Sequence, residues 1–161
     1  MLLLISSLLL MSCGADKYRK KGEKFLALGG YYDAACQFKQ AYTRTPVKEH
    51  DTRGKRDLKM ARCYQRINAT TKAITAHRNS IRYNQASKED QLAYARQLLK
   101  NGDYRQAEKV FLMLKDSMPG NQLIANGLKS AQMAPEWKKQ GSRYIVKRMH
   151  VFNSRSHDYS P

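Results

Sequence analysis

Two stretches of this chain carry one skeleton at identical spacing: Ala34, Phe38, Ala41 and Pro46, then Ala107, Phe111, Leu114 and Pro119. A worn copy stands between them, Ala73, His77 and Ser80, with Gln85 in the place of the proline. The steps from small residue to aromatic to small or apolar residue fall on one face of a helix. A helical hairpin with one such face cannot bury it alone, so the copies must stack. Stacking makes a long, curved surface, and such surfaces hold other proteins. The pattern favours a binding scaffold over an enzyme.

The local chemistry supports helical hairpins. Small residues at Gly22, Ala34 and Ala41 let two helix backbones approach, while Phe25, Tyr31 and Phe38 fill the space beside them. Gly29-Gly30 and Asn101-Gly102 can take the left-handed conformation that ends one helix and reverses the chain. Pro46 and Pro119 stop the second helix of their copies, because proline has no N–H to donate. Thr70 and Thr71, after Asn68, offer a cap for the second helix of the middle copy. Beyond Asn121 an apolar stripe of Leu123, Ile124, Leu128 and Ala131 predicts one more helix before Pro135, covering the exposed end of the stack. Tyr144 to Phe152 is short and rich in β-branched and aromatic residues, and reads as a strand without a partner.

These residues resemble the tetratricopeptide family, whose repeat is about 34 residues long. On that resemblance the copies run 15–48, 54–87 and 88–121. The first has Tyr18, Gly22, Phe25, Gly29, Tyr31, Ala34, Phe38, Ala41 and Pro46 at the family's landmarks, with Lys21 where a leucine is usual. The second keeps Met60, Ala61, Tyr64, Ala73 and Ser80. The third keeps Gly102, Asp103, Tyr104, Ala107, Phe111 and Pro119, with Ala95 for the glycine and Gln91 for the first aromatic. The resemblance implies an all-α solenoid of three helical hairpins plus a capping helix over 15–134, followed by an irregular C-terminal tail over 135–161.

Residues Met1 to Met11 are apolar or Ser throughout, too short a run to span a bilayer and fitting the core of a secretory signal. Leu10-Met11-Ser12-Cys13 resembles the bacterial lipobox, although Met11 is bulky and no Lys or Arg precedes the run. The resemblance implies a signal peptide over 1–12, and a lipidated N-terminus at 13–14 with covalent lipid on Cys13. Cys36 and Cys63 remain. A disulfide is chemically permitted outside the cytoplasm, but packed thiols are the favoured reading. His50, His77, His150 and His157 show no metal-ligand spacing with the cysteines, so neither a metal nor another cofactor is expected.

The net charge is +17, from thirty Lys and Arg against thirteen Asp and Glu. The excess sits in the first two copies and the tail, whereas 88–121 carries six basic and five acidic groups. Such a field attracts anionic partners. Lys17, Arg19, Lys20, Lys21 and Lys24 follow directly behind Cys13 and could meet acidic headgroups. The family's groove-lining positions fall on Asp16, Arg19, Glu23 and Leu26, on Lys55, Leu58, Arg62, Gln65 and Arg66, and on Glu89, Leu92, Arg96, Leu99 and Lys100. The resemblance therefore implies a partner-binding groove carried by Arg19, Lys55, Arg62, Arg66, Leu92, Arg96 and Lys100 and suited to an acidic segment. The paired asparagines of the family's chaperone-tail clamp are absent, so capture of a C-terminal carboxylate is not implied. No nucleic-acid module accompanies the basic residues.

Ser142-Arg143-Tyr144-Ile145-Val146 and the closing Asn153-Ser154-Arg155-Ser156-His157-Asp158-Tyr159-Ser160-Pro161 resemble a junction in a Bacteroidetes family of outer-membrane lipoproteins. Those proteins join tetratricopeptide repeats to a β-propeller and an OmpA-like domain, in the type IX secretion and gliding machinery. An ordinary polar C-terminus is the other reading of this tail. No triad motif surrounds Ser80 or Cys63, and Gly54-Lys55 lacks the rest of a phosphate loop, so no catalysis is expected. The expected protein is a lipid-anchored scaffold of the outer membrane, facing the periplasm, that holds an envelope protein and takes no small-molecule substrate. The alternative is a binder of membrane surfaces or anionic polymers through the basic N-terminal segment.

Overall fold

The computed structural model describes the backbone of residues 2–142 with 144 and 145, and side chains from Gly14 onward. Among the described residues seven helices follow one another: α1 (Leu2–Ala27), α2 (Tyr31–Thr43), α3 (His50–Arg66), α4 (Thr70–Arg82), α5 (Lys88–Asn101), α6 (Tyr104–Ser117) and α7 (Gln122–Gln140). Each packs chiefly on its chain neighbours, and α7 also reaches back to α5. The fold is an all-α solenoid of three helical hairpins closed by a last helix. No strand occurs among the described residues. The backbone of 2–12, read as a signal segment, continues α1. Most of the strand expected over Tyr144 to Phe152 lies outside the described residues; Tyr144 and Ile145 are exposed and not helical.

Turn chemistry differs between copies. Gly29 (φ 76°) and Gly102 (φ 85°) take the left-handed region after α1 and α5. The middle copy uses Asn68 (φ 57°) after α3 and Asn84 (φ 55°) after α4, asparagine being the side chain that tolerates this region best. The expected threonine cap is not used. Ala69 precedes α4 without a side-chain cap, and the Thr70 hydroxyl instead donates to the Asn68 carbonyl at 3.4 Å. Helix α5 opens on a reciprocal box, in which Ser87 Oγ accepts from Asp90 N–H and the Asp90 carboxylate accepts from Ser87 N–H. Asn121 caps α7 by accepting from Leu123 and Ile124. That helix does not stop before Pro135 but runs through it to Gln140.

Two apolar clusters form the interior. The first joins Ala34, Ala35, Phe38, Met60, Ala61, Cys63 and Ala76. The second joins Ile74, Leu92, Tyr94, Ala95, Leu98, Ala107, Phe111, Leu114, Ile124 and Ala131. They meet at α4, which contributes to both. Of the three aromatics expected to fill the first hairpin only Phe38 is fully buried; Tyr31 is half-buried and Phe25 is 36% exposed. Two aromatic rings pack directly on a glycine. A Cβ on Gly22 would lie 2.7 Å from the Phe38 ring, and one on Gly127 would lie 2.3 Å from the Phe111 ring. The aromatic of the skeleton thus rests on helix backbone at both ends of the stack.

Candidate functional site: a polar row on the first helices

Helices α1, α3 and α5 are the first helices of the three hairpins. Charged side chains bridge them. Glu23 on α1 accepts from Lys59 on α3, Arg62 on α3 reaches Asp90 on α5, and Lys100 on α5 donates to Asn68 Oδ1 at 2.7 Å. The Lys59–Glu23 and Arg62–Asp90 ion pairs link neighbouring first helices, while the apolar clusters join first and second helices alike.

Arg19 spans its own helix, donating from Nε to Asp16 at 2.6 Å and from Nη1 to Glu23 at 2.8 Å. Those donors and Lys59 hold the two carboxyls below their usual range. For Glu23 the Lys59 contact is the largest cause, and for Asp16 the Arg19 hydrogen bond. The Arg62 guanidinium meets Asp90 in a two-pronged contact, Nε to Oδ1 and Nη2 to Oδ2, each 3.0 Å. Planar pairing of this kind is what a guanidinium offers any carboxylate. Asp90 is itself buried and serves the Ser87 box at the same time.

The seven groove residues named from the sequence divide into three groups. Arg19 and Arg62 lie in the row but are engaged by carboxylates of this chain. Leu92 is placed differently from expectation: at 7% exposure it packs in the second apolar cluster and offers a partner almost no surface. Lys55, Arg66, Arg96 and Lys100 are exposed and form no ion pair among the described residues. Arg66 lies over the Tyr31 ring at 5.8 Å, and with Gln65 and Arg62 it lines an open hollow of about 510 Å³. Two residues of this network were not singled out from the sequence: Lys59 and Asp90. Ser87-Lys88-Glu89-Asp90 carries the spacing of a capping box, the one signal that could have found Asp90.

Neither nucleophile candidate is set up for chemistry. Ser80 is fully buried with its hydroxyl unpartnered, and burial pushes the Cys63 thiol up to about 11. Cys36 and Cys63 are free thiols. Among the described residues no three His, Cys, Asp or Glu side chains cluster as metal ligands.

The row of paired and unpaired cations thus runs along the first helices of a stack of helical hairpins. Solved structures agree on the fold. The first TPR of Spaghetti (RPAP3), bound to the HSP90 peptide SRMEEVD, matches with a TM-score of 0.61 at 17% identity, covering 78% of this chain and 96% of that one. The C-terminal TPR-containing domain of a Plasmodium falciparum FK506-binding protein gives 0.64 at 14% identity, covering 81% and 94%. The Sgt2 TPR domain from Aspergillus fumigatus gives 0.57 at 14% identity, covering 88% and 91%. No protein-family profile matches the chain, and no curated protein matches it by sequence.

Proposed function

We propose that this protein is a lipid-anchored scaffold of the bacterial outer membrane that holds an acidic segment of an envelope protein along α1, α3 and α5. The type IX secretion apparatus is the assembly the tail resemblance points to, and Cys13 is the anchor. The observation that carries the groove reading is the Arg62–Asp90 pair beside the hollow at Arg66. One buried carboxylate already sits on this row in two-pronged contact with a guanidinium, and Lys55 and Arg66 on α3 and Arg96 and Lys100 on α5 stand exposed for the carboxylates of a partner. The peptide bound by Spaghetti carries adjacent glutamates, which suits the same reading.

The groove is tested with a fluorescent Glu-rich peptide against its Gln counterpart, following anisotropy. Arg66→Glu with Arg96→Glu is expected to weaken the Glu peptide about a hundredfold or more, since each of the two lost charge-assisted contacts is worth about 1.5–3 kcal/mol. Equal binding by parent and variant would overturn it. Arg62→Glu is the poorer probe, because it sets a second carboxylate against buried Asp90. The anchor is tested separately, by palmitate labelling that enters the membrane fraction of the parent and is lost in Cys13→Ala.

A further inference from the structure

A second basic site lies away from the groove, where the N-terminal segment meets the loop between α2 and α3. A hollow of about 580 Å³ is lined by Gly14, by Thr43 to Val47 and by Arg53. Its floor is mostly apolar, and Val47 stands 72% exposed at its edge. Two guanidiniums border it, each held against an aromatic ring. Arg44 lies 4.3 Å over Tyr18 and is steadied by the Gln40 carbonyl and side chain, while Arg53 lies 3.9 Å over Tyr42 and donates to the Thr45 carbonyl at 2.9 Å. Neither forms an ion pair among the described residues, and Arg53 Nε is buried without a partner. Stacking fixes the planes of both groups before any ligand arrives, so little side-chain freedom is lost on binding.

Position says what such a hollow meets. Gly14 directly follows Cys13, so in the lipid-anchored protein proposed above Gly14 lies at the bilayer interface. Lys17, Lys20, Lys21 and Lys24 are exposed on the same helix within the next turns. An apolar hollow with two oriented guanidiniums complements a phosphate that carries acyl chains.

We propose that Arg44 and Arg53, with Val47 and the floor of this hollow, form a binding site for the headgroup of an anionic glycerophospholipid. The site docks the repeat body on the membrane and sets the direction in which the stack projects. It rests on the membrane anchoring proposed above and stands whether or not the groove binds acidic peptides.

The test titrates the full-length protein, as Cys13→Ser, with soluble short-chain phosphatidylglycerol below its micelle concentration, following backbone amide signals. Shifts are expected at Thr43 to Val47 and at Arg53. Short-chain phosphatidylcholine should bind about tenfold more weakly, and so should glycerol phosphate, which lacks the tails. Arg44→Ala is expected to weaken the lipid about tenfold. It is the safer arginine variant, because Arg44 is exposed whereas Arg53 also ties down the Thr45 carbonyl. Val47→Asp should weaken it similarly by placing a like charge beside the phosphate. Equal binding of inorganic phosphate and lipid would overturn the proposal, as would shifts confined to Lys17–Lys24, or an unchanged affinity in both Arg44→Ala and Val47→Asp.

Discussion

Two buried ionisable residues of the middle copy pull in opposite directions. Asp57 is 2% exposed and burial pushes its carboxyl up to about 6 from 3.8. His77 is fully buried with both ring nitrogens unpartnered, and burial pushes it down to about 4 from 6.5. The fold therefore favours protonated Asp57, and the stability this brings is present below pH 3.8 and is lost as pH rises through 6. It also favours neutral His77, and that stability is present above pH 6.5 and is lost as pH falls through 4. Each shift is worth about 3 kcal/mol, so the two nearly cancel and stability should be flat between pH 4 and 6.5. Asp57→Asn removes one slope and should leave stability rising with pH across that window. His77→Phe, which restores the aromatic of the other two copies, should leave it falling. Urea midpoints measured across the window check both signs, and two parallel curves would refute the assignment.

At the scale of the element, the helices differ in how they begin. Helices α2, α3, α4 and α6 start without a side-chain cap, whereas α5 has the Ser87–Asp90 box and α7 has Asn121. Asp90 has two tasks, closing the start of α5 and gripping Arg62. Ser87→Ala is expected to cost about 1 kcal/mol, the usual worth of an N-cap, while leaving the Arg62 pair in place. Asp90→Asn should cost more, since it weakens the box and leaves a guanidinium facing a neutral amide. Thermal unfolding of both variants beside the parent would show the order, and equal losses would mean that Arg62 draws nothing from Asp90. The same pair shows why the groove was only partly legible. The family resemblance put Arg62 and Arg66 in one groove, but which of them is engaged depends on α5, twenty-eight positions along the chain.

Across the whole molecule the stack is uneven. The cluster under α1 to α4 is built mostly from alanines around Phe38, Met60 and Cys63. The cluster under α4 to α7 holds Leu92, Leu98, Phe111, Leu114 and Ile124, each worth about 1.5–3 kcal/mol when buried. Between them the middle copy buries Arg56, Asp57, His77 and Ser80. In a repeat array stability is summed from neighbouring interfaces. Native-state hydrogen exchange should therefore protect α5, α6 and the first half of α7 more than α2 and α3. Uniform protection would mean that the polar layer couples the two clusters as well as an apolar one would.

The sequence by itself determined the hairpins and their order. Small residues, aromatics, glycines and prolines act within one helix or one turn, and local spacing is enough to read them. Only the tertiary structure decided which cations are spent on internal carboxylates, that Leu92 faces the core, that α7 runs through Pro135, and that Arg44 and Arg53 meet at one hollow beside Gly14. Each of these depends on contacts between helices, where a few ångströms separate a paired side chain from an exposed one, and no periodicity along the chain records that distance.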